Sequence, residues 1–562
     1  MSDMDLLNRR VENICNRKIF LFGNEQIKSD VEYLFKHRGL DLKTWDAGDD
    51  AYFKTVGRED QMLVVCEKER NEAFEINAEK AGMKQGQDYL YVKEFFLHYN
   101  PVFLERRNRT LAVWGTGICA SVLWDTLEKW SLASEIDFYV DNAKGKSAFK
   151  GKQVVSPKEI KDWKEIYVIV ATSQYQWEIY KQLNEYGLQK NKDYIHYSVA
   201  SQDYVELLEK ACFPEVRYPY FCHRPFGYCD VIGSDLHLCC PDFLPISAGS
   251  MQAGSFMECW DSYVARILRL SILNGTFAFC NKQYCDLFDF DESIKPKEGA
   301  MGDYKREASQ YPNTLMVGTD YSCNLNCPSC REAVCVASSE ERKELDRQAE
   351  DLLEHVIPHV GRLWMAGSGE VFFSKTYRNM MEDKRCKDRR SISILSNGTL
   401  FNEEQWEKIE ACSYESVEVV ISMDGIKDTT IETLRRGADA QKLKHNLEFI
   451  GNLRKQNKIQ RLFLSCVLQA ANVAELQELL DYCQKIGVDK IQFLKLKDNG
   501  EYACDDEQFS GMSVFDKDNC LKERYKPYFT KALLSHPLAD WFNSTSALRV
   551  EKRPRIDEYD TF

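Results

Sequence analysis

Cys323-Asn324-Leu325-Asn326-Cys327-Pro328-Ser329-Cys330 is the stretch on which the reading of this chain turns. It follows a short apolar run, Thr314-Leu315-Met316-Val317, whose composition predicts a buried strand. Three cysteines at C-x3-C-x2-C spacing therefore share one loop at a strand end. So short a loop aims three thiolates at one point, and thiolates are the usual protein ligands of iron–sulfur clusters. A four-iron cluster held by three cysteines leaves one iron open to a small molecule that offers an amine and a carboxylate. Two plainer readings stand beside this one. The triplet is part of a zinc site, with Cys335 as the nearest fourth ligand, or the thiols are structural.

Downstream of the loop, five more strands are predicted, near Arg362–Ala366, Ser391–Ser396, Val417–Ser422, Arg461–Val467 and Lys490–Leu496. Helical stretches separate them, one starting at Asn472 as N-cap and ending at Gly487. At about 30 residues per βα unit, residues 313–500 hold six units, a partial (β/α)6 barrel. Parallel barrels bind ligands where the strands end. At those ends lie Gly367-Ser368-Gly369-Glu370, Ser396 and Asn397, Ser422 with Asp424 and Gly425, Gln469, and Lys495 with Lys497. Asn397 and Ser422 can bond a ribose or a carboxylate; Asp424 can do the same or cap the next helix.

The cysteine loop after a first strand resembles the radical S-adenosylmethionine (SAM) enzymes. That resemblance implies a [4Fe-4S] cluster on Cys323, Cys327 and Cys330 as the catalytic centre. It also implies SAM on the open iron, and an electron donor of flavodoxin or ferredoxin type. Ser368-Gly369-Glu370-Val371 resembles the family's GGEP motif, keeping its second and third positions, with Glu370 orienting the turn or the SAM ammonium. Ser329 stands where the family has an aromatic residue near the adenine. Upstream, residues 206–290 resemble the SPASM module, an auxiliary iron–sulfur domain. By that resemblance Cys222, Cys240, Cys280 and Cys285 hold an auxiliary [4Fe-4S] cluster. Cys239 is an alternative to Cys240, Cys229 and Cys259 are spare thiols, and a four-cysteine zinc site is the structural alternative. The module usually follows the core; here it precedes it.

Residues 1–105 and 106–205 form an internal repeat. Each copy has an apolar strand, a glycine turn, a helix, further strands, and a close on Asp88-Tyr89-Leu90-Tyr91 or Asp193-Tyr194-Ile195-His196. Alternating strands and helices imply parallel α/β units. Gly115-Thr116-Gly117-Ile118-Cys119-Ala120 fits G-x-G-x-x-A, and Asp141 ends the next strand. Gly115, Gly117 and Asp141 thus form a dinucleotide-type fingerprint. The copies resemble Rossmann-like domains, which implies a nucleotide or nucleotide-sugar ligand; a docking domain is the alternative. Residues 291–312 read as a linker and 501–562 as a helical appendage.

The whole is an α/β multidomain chain of 562 residues. Its net charge of −14 argues against a nucleic-acid partner. No run approaches membrane-spanning length, and Met1-Ser2-Asp3-Met4-Asp5 is no export signal, so a cytoplasmic location is expected. Twelve of the 21 cysteines lie between Cys212 and Cys335, a concentration that points to metal ligation. The expected activity is hydrogen abstraction from a substrate for oxidation, epimerisation or cross-linking. The substrate is a sugar or nucleotide-linked small molecule, or else a peptide. A non-catalytic iron–sulfur scaffold is the alternative of another class.

Overall fold

The computed structural model describes the chain apart from residues 1–13, 15–16, 37–39, 41, 45–60, 107–108, 131, 143–146, 174, 215, 220, 283–284, 286–287, 289–306, 332, 366–367, 388–389, 411–412, 497–505, 518–519, 542–547 and 549–562. Gly367, Lys497 and most of the expected linker lie outside the described residues.

Two small sheets come first. Strands β1 (Lys18–Gly23), β2 (Leu42–Thr44), β3 (Gln61–Cys66) and β4 (Tyr89–Tyr91) are all parallel, in the order β2-β1-β3-β4. The second sheet contains β5 (Thr110–Trp114), β6 (Phe138–Val140), β7 (Ala148–Phe149), β8 (Lys152–Val155), β9 (Ile166–Val170) and β10 (Tyr194–His196), in the order β10-β9-β5-β6-β8-β7. Set β6, β5, β9 and β10 against β2, β1, β3 and β4 and the order is the same; β8 and β7 are added at one edge. The turn before the last strand is also duplicated. Lys84 N donates to Asp88 Oδ2 and Gln189 N to Asp193 Oδ2, each at 2.8 Å. An aspartate that folds back on its own turn is a local, sequence-encoded device.

The third sheet is the largest. It holds β11 (Tyr228–Ile232), β12 (Asp235–His237), β13 (Gly249–Ser250), β14 (Thr314–Gly318), β15 (Arg362–Met365), β16 (Ser391–Ser396), β17 (Ser416–Ser422), β18 (Arg461–Leu468), β19 (Lys490–Lys495) and β20 (Ala539–Asp540). Strands β14 to β19 are parallel neighbours in chain order, with helices between them.

Two boundaries differ from the sequence reading. The cysteine-rich stretch shares the large sheet with the core, for β11 pairs parallel with β14, and β12 and β13 follow antiparallel. Its strands are short and its cysteines dominate the pattern, which hid the alternation. The tail is not only helical: β20 pairs parallel with β19, a strand of two residues and too short to show a period.

Alternation decides what the large sheet does with its faces. Leu315, Leu363, Ile392, Val419 and Leu462 are fully buried with helix residues such as Leu352 and Leu447. The opposite face carries a band of polar and charged side chains among apolar ones. One row runs in register across seven strands: His237, Asp230, Met316, Trp364, Ser393, Glu418 and Arg461. Parallel sheets covered on both sides are apolar on both, so this face is built for something other than a second apolar layer. Within it Arg362 Nη2 bonds Glu418 Oε2 at 3.0 Å, and Ser393 Oγ donates to Glu418 Oε1 at 3.2 Å.

Candidate active site

The three-cysteine loop leaves the C-terminal end of β14 and is held at its root. Buried Asp320 accepts from Ser374 Oγ at 2.6 Å, Ser322 N at 2.8 Å and Arg342 Nη1 at 3.2 Å. Cys323 N donates to Cys335 O at 2.9 Å, and Asn326 N to Arg436 O at 3.1 Å. Leu325 is 1% exposed and anchors the loop in the core. Cys323 and Cys327 are buried, while Cys330 is exposed. The three thiols thus leave the loop from one short, pinned arc.

The end of β15 presses on that root. A Cβ on Gly369 would sit 2.4 Å from Asp320 O and 2.6 Å from Ser322 O, so only glycine allows the approach. Glu370 N donates to Ser322 O at 2.9 Å. The Glu370 carboxylate, 1% exposed, accepts from Asn397 N at 2.6 Å, Ser396 Oγ at 2.7 Å and Phe372 N at 3.2 Å. It therefore ties the ends of β15 and β16 together. Burial pushes its carboxyl above the usual carboxylate range, against the pull of those donors. Asn397 carries the fixation forward: its Nδ2 donates to Asn324 Oδ1 at 3.0 Å and lies 3.8 Å from Cys323 Sγ.

Two arginines that the sequence reading did not single out complete the loop. Arg331 donates from Nε to Cys330 Sγ at 3.4 Å, from Nη1 to Tyr321 O at 2.7 Å and from Nη2 to Ser368 O at 2.8 Å. Arg435 hydrogen-bonds Cys327 and pairs through Nε with Asp424 Oδ2 at 2.8 Å. Burial pushes the Cys323 and Cys327 thiols up, while Arg331 and Arg435 respectively draw them down. Cations beside a thiol favour the thiolate, which is the ligating form.

Asp424 is committed to structure. Besides Arg435 it accepts from Val467 N at 2.7 Å, and the next helix, Asp428–Leu434, has Lys427 as N-cap with no side-chain cap. Asn472 likewise does not cap its helix: it accepts from Gln469 N and donates to Asp424 O and Val467 O. Gly487 ends that helix in the left-handed region, φ 91°. Ser422 and Ser465 lie side by side in register near the same rim. Gln469, just past β18, is 1% exposed, and both its amide atoms lack a partner among the described residues. Lys495 is turned to the tail, with Nζ 5.4 Å from the centroid of the Phe515 ring.

A second group of thiols gathers at the other end of the large sheet, before β11 and after the returning β12. Cys222 is an electrostatic neighbour of both Cys239 and Cys280; Cys280 neighbours Cys285, and Cys239 neighbours Cys240. Cys229 and Cys259 are buried apart in the core. Among the described residues no three His, Cys, Asp or Glu groups stand close enough to hold a single metal ion. A four-iron cluster, which gives each thiolate its own iron, separates its ligands more widely than one ion does. On the polar face nearby, Asp230 is 2% exposed, and burial raises its carboxyl to about 6 against a hydrogen bond from Tyr228. No short motif announces Asp230 or Arg435, which only the fold brings to the site; Arg331 directly follows Cys330 in the sequence.

In the second small sheet, Gly115 has φ 122°, and a Cβ there would meet Ala171 O at 2.6 Å. Gly117 is the N-cap of helix Ile118–Lys129, which has no side-chain cap, and the space beside Gly117 is open. Thr116 Oγ1 donates to Asp141 Oδ2 at 2.6 Å. Gly115, Gly117 and Asp141 thus lie together just past the C-terminal ends of the neighbouring strands β5 and β6.

Residues 107–193 match the family described as C2185-like, N-terminal. No curated protein matches the chain. Among solved structures it is similar to Streptococcus suis SuiB bound to S-adenosylmethionine, at 16% identity over 34% of this chain and 42% of that one, TM-score 0.27. It is also similar to native anSMEcpe with bound AdoMet, at 19% identity over 37% of this chain and 57% of that one, TM-score 0.27. A third is TYW1 with a lysine-pyruvate adduct bound, at 15% identity over 32% of this chain and 62% of that one, TM-score 0.23. The chain spans less than two thirds of each. No helix among the described residues is long and apolar enough to cross a membrane.

Proposed function

We propose that this chain is a radical SAM enzyme. The observation that carries the reading is the construction of one loop. Cys323, Cys327 and Cys330 leave the end of β14 together, two of them buried, with a guanidinium on Cys327 and another on Cys330. The donor set fits a [4Fe-4S] cluster with one iron left for the methionine end of SAM. Bound there, cluster and SAM supply a 5′-deoxyadenosyl radical for hydrogen abstraction.

The chain's own residues do the positioning. Glu370 and Gly369 lock the end of β15 against the loop, and Asn397 holds Asn324 beside Cys323. The Ser368 carbonyl is fixed by Arg331 on the same rim. Ser422 offers a hydroxyl for the ribose or carboxylate. Exposed Cys330 gives an electron donor of flavodoxin or ferredoxin type its closest approach. Curled as a partial (β/α)6 barrel, the large sheet would turn its polar face into the substrate chamber, between the SAM site and the thiols of the cysteine-rich stretch. Those thiols, Cys222, Cys280 and Cys285 with Cys239 or Cys240, fit an auxiliary [4Fe-4S] cluster. The meeting of Gly115, Gly117 and Asp141 supports a nucleotide-linked small molecule as substrate class.

The test is anaerobic reconstitution with iron and sulfide, then SAM and dithionite. Formation of 5′-deoxyadenosine is expected. A protein carrying its clusters that forms none overturns the reading.

A further inference from the structure

Helix Tyr263–Leu273 carries two arginines, Arg266 and Arg269, three residues apart and therefore on one face. Long helical side chains lean back toward the N-terminus, and both do so here. Arg266 donates from Nε and Nη2 to Asp261 Oδ1 and Oδ2 at 3.1 and 2.6 Å. The guanidinium carbon of Arg269 lies 4.4 Å from the centroid of the Trp260 ring. Trp260 and Asp261 are neighbours in the chain, so the two guanidiniums arrive at one place. Helix Glu25–Phe35 brings Tyr33 to them. Asn274, at the C-terminal end of the arginine helix, donates from Nδ2 to Asp30 Oδ2 at 3.1 Å. Tyr33 stands one turn beyond Asp30 and is an electrostatic neighbour of both arginines.

The two cations are not fully answered. Arg269 is 1% exposed, and among the described residues its one hydrogen bond runs from Nε to Pro225 O at 2.8 Å; its Nη2 has no partner. Arg266 Nη1 is also buried without a partner among the described residues. A guanidinium keeps its charge, and a charge drawn out of water needs an anion. Stacking on Trp260 eases the burial of Arg269 but offers its N–H groups no acceptor. Asp261 matches one of the two charges, which leaves one positive charge and two N–H groups that face no acceptor. Arg266 has spent its Nε–Nη2 edge on Asp261, the edge that holds a carboxylate in two parallel bonds. What remains is single donors on separate side chains, with the Tyr33 hydroxyl beside them. Such a set suits a tetrahedral oxyanion, whose oxygens point in different directions.

We propose that Arg266 Nη1, Arg269 Nη2 and the Tyr33 hydroxyl form a binding site for a phosphate group, free or carried as a monoester, where the first α/β unit meets the cysteine-rich stretch. The site shares no residue with the SAM site or with either group of cluster thiols, and it stands whether or not the chain is a radical SAM enzyme. The side chain of Arg266 is 14% exposed and that of Arg269 is buried, so the ligand enters past Arg266 and Tyr33 and ends on Arg269. Bound there, a phosphate bridges helix Glu25–Phe35 to helix Tyr263–Leu273 and stabilises the folded chain by mass action.

The test titrates the full chain, dialysed free of phosphate, with inorganic phosphate and with glycerol phosphate by isothermal titration calorimetry, at ionic strength held constant with chloride. One site per chain is expected, with a rise in Tm at saturation. Tighter binding of glycerol phosphate supports the site with a phosphorylated ligand; tighter binding of inorganic phosphate supports it with the free ion. Arg269→Gln and Arg266→Gln should each weaken binding about ten- to hundredfold, and Tyr33→Phe about two- to tenfold. Far-UV circular dichroism checks folding, and Arg266→Gln and Tyr33→Phe, at less buried side chains, carry the test if Arg269→Gln does not fold. The proposal is overturned if neither probe gives a saturable heat, or if none of the three substitutions weakens binding. Acetate that binds as tightly as phosphate overturns the choice of a tetrahedral oxyanion.

Discussion

Replacing Glu370 by Ala tests how the site is held. The carboxylate takes three hydrogen bonds, from Asn397 N, Ser396 Oγ and Phe372 N. Ser396 can turn its hydroxyl elsewhere, but the two backbone donors cannot. Each buried donor left without an acceptor costs about 1–3 kcal/mol. Against that stands the relief of removing a carboxyl that burial already penalises. The expected net loss is about 3 kcal/mol, read as a lower urea midpoint at unchanged slope. Glu370→Gln keeps one acceptor and should lose about half as much. In SAM cleavage both variants should be slowed, because Asn397 and the loop root lose their pin, yet both should keep iron at the untouched cysteines. The reasoning is refuted if Glu370→Ala lies within about 0.5 kcal/mol of the parent, the range of an indifferent surface change. It is refuted in another way if Glu370→Gln loses cleavage as fully as Cys327→Ala, since the carboxylate would then touch the cofactor itself.

Other substitutions probe single contacts. Gly369→Ala drives a methyl into Asp320 O and Ser322 O; it should cost about 1–3 kcal/mol and depress SAM affinity more than a neighbouring surface change does, as measured by urea unfolding and equilibrium dialysis. Arg435→Met strands buried Asp424, so a loss of about 3–5 kcal/mol is expected, together with weaker iron retention at Cys327 under chelator challenge. Asp30, 1% exposed and raised by burial to about 6 from 3.8, should destabilise the fold as pH rises through 6 and not below 4. The stability of Asp30→Asn relative to the parent should therefore improve by up to about 3 kcal/mol between pH 4 and pH 7, and a gap that does not change with pH would contradict the shift.

The six core strands were legible because parallel βα units write themselves as apolar runs at regular spacing. Ser391–Ser396 matches its expected bounds, and the others differ by a residue or so. The repeat was legible for the same reason, and its duplicated Asp88 and Asp193 turns show that the likeness reaches individual hydrogen bonds. What escaped was non-local. Tyr228–Ile232 carries a cysteine and an aspartate and reads as part of a metal module, yet its pairing partner lies beyond residue 313. Arg435 looks like any surface arginine until the fold brings it to Cys327, whereas Arg331 stands next to Cys330 in the chain and could have been read there. Asp424 sat at the right rim, but Arg435 and Val467 N claim its oxygens; which polar group on a strand end is spent on structure is settled only by what packs beside it.

The most direct measurement is a paired one on anaerobically reconstituted protein: metal content and 5′-deoxyadenosine formed from SAM under dithionite, for the parent and for Cys327→Ala. The account expects about eight irons and product in the parent, against about four irons and no product in the variant. Zinc or no metal at Cys323, Cys327 and Cys330, or equal product from both proteins, would contradict it.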